Sequence, residues 1–202
     1  MTLLVPTVTR PTPLARAARS SLVGRDDLFA RVNALVEEEQ HVLLWGPRGI
    51  GKSAVIAALR PHGATIIDPF EHMHSRQAAL VLRAMDRDTQ FLAASRSLDR
   101  AHLGAVRRFA WRFTTVRVPM LSRASMRRVV VRECELSRIP MTLVTDAWIR
   151  AAVRLAHGCP GAAIALVRAA AERHASTNHL PSPVAAQIEA RLRQEGFTGQ
   201  SE

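Results

Sequence analysis

A chain of 202 residues with 48% hydrophobic side chains has the size for one medium domain, or one domain with a small appendage, around a real core. Its net charge of +11 rests almost wholly on arginine, a balance that favours a polyanionic partner, most simply nucleic acid. Two cysteines, Cys134 and Cys159, exclude a disulfide framework or a cysteine metal site, and no apolar run reaches the ~18 residues of a membrane helix.

Residues 1–20 are rich in Pro, Thr and Arg and lack periodicity. They read as a flexible basic arm in which Arg10, Arg16 and Arg19 reach a phosphate backbone, or as a terminus without a role. Pro6, Arg10, Pro11 and Pro13 interrupt it, so it is not a secretory signal, and with two buried thiols the expected location is cytoplasmic. A first helix follows, with Asp26 and Asp27 as cap and first-turn residues and Leu28, Val32, Leu35 and Val36 as its apolar face, widened by Phe29.

His41 to Trp45 reads as a buried strand, and Ala54 to Leu59 as a helix stopped by Pro61. Between them, Gly46-Pro47-Arg48-Gly49-Ile50-Gly51-Lys52-Ser53 fits G-x-x-x-x-G-K-[ST], the phosphate-binding loop of nucleoside triphosphatases. Its glycines let backbone N–H groups turn inward around phosphate oxygens, and the helix N-terminus adds partial positive charge. Lys52 is expected to reach the β- and γ-phosphates of ATP, and the Ser53 hydroxyl to hold Mg²⁺. The chain has 27 arginines and one lysine, and that lysine is Lys52. A compact ammonium fits a ring of N–H groups where a planar guanidinium does not.

Thr65-Ile66-Ile67-Asp68 reads as a short strand ending in an acid, placed where a carboxylate can hold the waters of a metal ion. Ser75 to Arg87 reads as a helix with Ala78, Ala79, Leu82 and Met85 inward. Thr89 to Arg96 is the next strand, Leu98 to Trp111 a helix with Ser97 as its cap, and Thr115 to Pro119 the last strand. His72 and His74 lack a full metal ligand set.

Past residue 120 the pattern is helical. Ser122 caps a helix carrying Arg123 and Arg127, then Arg128 and Arg132, at i,i+4. Like charges at that spacing cost helix stability, so the stripe suits an anionic partner, with a solvated face or bridges to Glu133 and Glu135 as the alternative. Thr145 or Asp146 caps the next helix, which runs through Ala147, Trp148, Ala152, Val153 and Ala156 to Gly158. Pro160 opens the one after, Ala162 to Arg173, and residues 175–183 read as a linker. Residues 184–195 form a last amphipathic helix through Val184, Ile188 and Leu192, which packs on the preceding helices or meets a partner.

Leu22-Val23-Gly24-Arg25-Asp26, then a helix, a strand and the phosphate loop, resembles the start of an AAA+ or related STAND-type ATPase module. The resemblance covers about residues 22–175. It implies that Val23 and Gly24 line an adenine pocket and that Asp68 holds the Mg²⁺ shell. Pro69 stands where the family has a water-polarising Glu, with Glu71 as a substitute. Ser95, or alternatively Arg96, corresponds to the γ-phosphate sensor. Arg108 or Arg112, with Arg107 third, corresponds to the finger that reaches a neighbouring subunit's nucleotide. Gly158-Cys159-Pro160 is similar to the lid motif, and Gly161 stands where many members carry a sensing Arg.

The expected fold is α/β: a P-loop NTPase core, with a shortened parallel sheet of about four strands lacking one edge, and then a small helical lid. The expected divisions are an arm over 1–20, the core over 21–120, the lid over 121–175 and a linker with C-terminal helix over 176–202. The resemblance implies an ATP- and Mg²⁺-binding ATPase that self-assembles as a homo-oligomer and acts on nucleic acid, DNA more than RNA, or on a nucleoprotein complex. The alternative is a non-hydrolysing ATP-binding regulatory or scaffold module that recruits a protein partner. Neither reading involves a membrane.

Overall fold

The two central strands form on apolar runs, and the two outer ones on segments rich in β-branched Thr, Ile and Val. In the computed structural model, which describes residues 22–59, 64–87 and 89–194, four parallel strands make one sheet. The arm over 1–20, Pro61 and residue 195 lie outside the described residues.

The strands are β1 (Val42–Trp45), β2 (Thr65–Ile67), β3 (Phe91–Ser95) and β4 (Thr114–Arg117), in the order β2-β3-β1-β4. All three pairings are parallel, with Leu43 opposite Ala93 and Thr115, and Ile66 opposite Leu92. β3 is buried along its whole length and β1 over Val42–Leu44, as befits central strands covered on both faces. β2 is short and partly exposed, and Ile66 faces water at the edge.

The helices of this unit are α1 (Asp26–Glu37), α2 (Lys52–Leu59), α3 (Ser75–Met85) and the single turn α4 (Arg100–Leu103). α1 buries Leu28 and Val32, but its N-cap is Arg25 and no side chain caps it. Asp26 and Asp27 occupy the first turn, where their charge favours the helix dipole without supplying a cap bond. On α3, Ala78 and Met85 point inward and Leu82 is half-buried, while Ala79 is exposed.

The helix expected over 98–111 does not form as one piece. α4 ends at Gly104, whose φ of +49° is left-handed, and 3₁₀ turns follow over Gly104–Arg108 and Ala110–Arg112. Leu103, Val106 and Phe109 are all buried, and a spacing of three is the period of a 3₁₀ turn, not of an α-helix. Ser97 does not cap this segment: its Oγ accepts from the Asp99 backbone N–H at 3.0 Å, and Asp99 itself is the N-cap.

The described chain divides into two units, one taking residues up to Arg48 together with Lys52–Val118, the other Gly49–Gly51 and residues from Pro119 onward. The second holds α5 (Arg123–Leu136), α6 (Asp146–Leu155), α7 (Pro160–Thr177) and α8 (Pro183–Gln194). Ser122 caps α5 by accepting from Ser125 N–H, and Thr145 caps α6 by accepting from Trp148 N–H, each at 3.2 Å. α7 has Pro160 in its first turn and runs four residues past the expected Arg173, to a left-handed Asn178. Met126, Val130 and Cys134 of α5 meet Trp148, Ile149 and Ala152 of α6 and Leu166, Val167 and Ala170 of α7 in one core.

Of the two expectations for the apolar face of α8, packing on the preceding helices is not what the structure shows, and the face stays open. Val184, Ile188 and Leu192 are exposed at 54%, 56% and 44%, while Ala186 and Ala190 are buried. Small alanines allow the close approach that α8 makes to α6 and α7, and Gln187 Nε2 donates to the Leu155 carbonyl at 3.3 Å. Among the described residues no helix is long and apolar enough to cross a membrane.

Burial, and then the charges of Glu133 and Glu135, push the Cys134 thiol up to about 11. At pH 8 its thiolate fraction is on the order of 10⁻³, and the sulfur is enclosed. Native protein treated with iodoacetamide at that pH should therefore carry alkylation at the half-buried Cys159 well before Cys134, a result that peptide mass mapping reads directly. Prior labelling of Cys134 would show that the helical core opens readily.

Candidate functional site

Parallel strands of one sheet bring their C-terminal ends to one edge, where loops and helix N-termini collect. Here β1 leads into the phosphate loop, β2 into Asp68 and β3 into Ser95. Gly46 N–H donates to the Ser95 carbonyl at 3.2 Å, which ties the start of the loop to the end of β3.

The loop has the backbone that its glycines permit. Gly49 and Gly51 have φ of +78° and +103°, where an L side chain is strained. At Gly51 an added Cβ would meet nothing within 4 Å, so the backbone angle and not space is the constraint. Ile50 between them is fully buried. Lys52, 9% exposed, folds back over the loop and donates from Nζ to the Gly46 carbonyl at 2.6 Å and the Pro47 carbonyl at 3.0 Å. Pro47 and Arg48 are exposed at the loop surface.

Ser53, one residue into α2, donates from Oγ to Asp68 Oδ2 at 2.5 Å, and both residues are exposed. The pair offers a hydroxyl and a carboxylate side by side. That hard-oxygen set suits Mg²⁺, which takes one or two protein oxygens and fills its octahedron with water and phosphate.

Several other candidates are committed elsewhere. Ser95 is 1% exposed and its Oγ donates to the Ser97 carbonyl at 2.8 Å, so its hydroxyl braces the turn after β3. Arg96 is paired with Glu71: its backbone N–H donates to Glu71 Oε1 at 3.3 Å, and its Nε lies 3.7 Å from the same oxygen. Glu71 sits on the 3₁₀ turn Phe70–His72 with its side chain 8% exposed, and its Oε2 is buried without a hydrogen-bond partner.

Arg112 pairs with Asp86 at 2.7 Å and is half-buried. Arg107 and Arg108 are exposed and line a cavity of about 310 Å³ with Ser75, Leu82 and Phe109. Next to them Trp111 is 80% exposed, its indole N–H donating to the Arg108 carbonyl at 3.1 Å. Val23 is half-buried and Gly24, with φ +66°, is exposed in the turn before α1.

Gly161 belongs to the second unit, as does Gly49. Its N–H donates to the Gly49 carbonyl at 2.8 Å, and a Cβ on it would stand 2.7 Å from the Gly49 Cα. Those neighbours are backbone and cannot swing aside, so no side chain fits at this position. The absence of an arginine there has a steric reason.

Two basic residues escaped sequence reasoning. Arg150 and Arg154 of α6 join Arg123 and Arg127 of α5 around a cavity of about 480 Å³. Both pairs sit at i,i+4 in the sequence, a signal that the stronger apolar pattern of α6 masks.

No protein-family model matches this chain, and no curated protein does. Solved structures do. The Thermotoga maritima RuvB Holliday junction branch migration motor is 14% identical with a TM-score of 0.59, covering 87% of this chain and 70% of that one. A point variant of the same RuvB gives 14% and 0.60 over 92% and 72% of the two chains, and another gives 12% and 0.57 over 87% and 71%. At such identities the likeness is one of fold. The chain has the AAA+ P-loop ATPase fold, with an α/β core whose parallel sheet is shortened to four strands.

Proposed function

We propose that this chain binds and hydrolyses ATP, assembles with copies of itself, and acts on nucleic acid, DNA in preference to RNA. The observation that carries the reading is the convergence of Lys52, Ser53 and Asp68 at the C-terminal edge of three parallel strands. Lys52 would exchange the loop carbonyls for the β- and γ-phosphates, and the backbone N–H groups of 46–53 would surround them. Mg²⁺ held by Ser53 and Asp68 would neutralise charge on the phosphates as the bond to the γ-phosphate breaks. Val23 and Gly24 would flank the base.

Self-assembly is supported by the exposed Trp111 between Arg108 and Arg112, a surface that suits a second copy. Arg108 is the better finger, because Arg112 is occupied by Asp86. Nucleic acid is supported by the net charge of +11 and by the fold shared with a junction motor. Among the described residues neither cysteine is in a disulfide, which suits the cytoplasm.

A second reading has an observation of its own. Pro69 cannot polarise water, and Glu71, the nearest substitute, is engaged by Arg96. This favours a module that binds ATP without hydrolysing it and recruits a protein partner.

One experiment separates the two. Phosphate release is measured against protein concentration, with and without duplex DNA. The enzyme reading expects release that DNA accelerates and specific activity that rises with concentration as subunits complete one another's sites. Tight ATP binding with no release under any condition would leave only the binding module.

A further inference from the structure

We infer that the groove between α5 and α6 is a site for the sugar-phosphate backbone of duplex DNA, gripped by Arg123, Arg127, Arg150 and Arg154. The inference rests on the nucleic-acid half of the proposed function, and it contains none of the phosphate-loop residues.

Each helix contributes two arginines four residues apart, about 6 Å along its axis, and all four line one cavity of about 480 Å³. Like charges at this spacing destabilise a helix, and here two such pairs line one groove. Fold stability accounts for Arg127 through its pair with Asp146, but not for Arg123, Arg150 and Arg154 beside it. Asp146 is the carboxylate joined to the groove: its Oδ1 accepts from Arg127 Nη2 at 2.6 Å. That hydrogen bond, then the charge of Arg127 and that of Arg150, hold its carboxyl below the ordinary range. One anion against four guanidinia leaves the groove strongly positive.

The neighbouring arginines are spent differently. Arg128 donates to Ser125 Oγ at 3.3 Å, and Arg168 pairs with Glu133 at 2.8 Å. The stripe read along α5 is thus divided, and its Arg123 and Arg127 line the groove with α6.

The form of the groove selects the occupant. Its floor is Ala124, Ala147, Ile149 and Val153, with no polar side chain to orient a small molecule. All four arginines are exposed, so they meet a ligand that brings its own extended surface instead of one enclosed by the protein. A guanidinium gives a fork of N–H donors that matches phosphate oxygens, and repeated phosphates satisfy several forks at once. An acidic peptide is the competing occupant, and whether the chain binds duplex at all tells them apart.

The test is binding of the full chain to a fluorescent ~30-base-pair duplex of arbitrary sequence, titrated across salt concentrations. Each phosphate neutralised contributes about −0.9 to the slope of log K against log salt, which is roughly eightfold in affinity at ~0.1 M salt. Arg150→Gln with Arg154→Gln should flatten the slope by about 1.8 and weaken binding roughly 60-fold at that salt. Arg76→Gln with Arg83→Gln, exposed on α3, removes the same charge elsewhere and should change binding only slightly. Asp146→Asn should tighten binding several-fold, an outcome that misfolding cannot imitate.

If the wild-type chain binds the duplex but the α6 pair does not change the slope, or the α3 pair changes it equally, the groove is not the contact and the nucleic-acid reading survives. If the wild-type chain does not bind duplex at ~50 mM salt, where such contacts are strong, both fail together and the acidic peptide takes precedence.

Discussion

Lys52→Ala is expected to weaken ATP binding about 100- to 1,000-fold without unfolding the chain. An ammonium about 3 Å from a phosphate oxygen, at the effective dielectric of about 20 that suits protein sites, is worth roughly 5 kcal/mol. Part of that is spent in breaking its present bonds to the Gly46 and Pro47 carbonyls. The surplus, about 3–4 kcal/mol, is the stated loss of affinity. On the folded state the change costs about 1–3 kcal/mol, because the buried Gly46 carbonyl and the more exposed Pro47 carbonyl lose a charged donor while a costly buried ammonium disappears with it. A small domain with about 5–15 kcal/mol of stability survives this. Isothermal titration with ATP and Mg²⁺, beside a urea melt of each protein, separates the two effects. Lys52→Arg should fail almost as badly, since the planar guanidinium cannot occupy the same curve of backbone. Equal affinity of wild type and Lys52→Ala for ATP would remove the phosphate loop from the proposed function.

The loop was legible because its chemistry is written in backbone demands. Glycine at 49 and 51 answers to positive φ, and the lone lysine folds back over that backbone onto the Gly46 and Pro47 carbonyls. The sheet was legible for a related reason: central parallel strands are buried on both faces, so β1 and β3 are apolar without alternation. What was not legible depends on contacts that propensity and periodicity do not carry. Leu98 to Trp111 has helical propensity, but Gly104 and the threefold spacing of Leu103, Val106 and Phe109 bend it to the core as 3₁₀ turns. In α8 the larger aliphatic side chains suggested the buried face, and the closer packing of Ala186 and Ala190 prevailed. Ser95 fits the end of a strand on any reading, and nothing in the sequence says that its hydroxyl turns to Ser97. The same holds for Arg123, Arg127, Arg150 and Arg154, whose convergence arises only when α5 and α6 pack side by side.

Phe70→Ala should cost the core unit more than any surface change, because Phe70 anchors the turn that follows the Asp68 carboxylate. Its ring is fully buried and meets Phe113 at 5.0 Å and Phe109 at 5.9 Å, both edge-on, the geometry that ring quadrupoles favour. Leu43, Ala93 and Met85 close the cluster from β1, β3 and α3. Truncating a buried phenylalanine costs about 3–5 kcal/mol through lost burial and the cavity left behind. Against about 5–15 kcal/mol in total, that leaves the unit marginal. The urea midpoint should fall by about 2 M if the slope is about 2 kcal/mol per molar. Function should follow by a separate route. Glu71 and Arg96 are held together beside this ring, and Asp68 is two residues before it. Loosening the turn should then lower Mg²⁺-dependent ATP affinity even at temperatures where the variant stays folded, whereas Phe70→Leu should recover most of both. A stability loss below about 1 kcal/mol for Phe70→Ala would mean that the aromatic cluster is not what fixes the Asp68 turn.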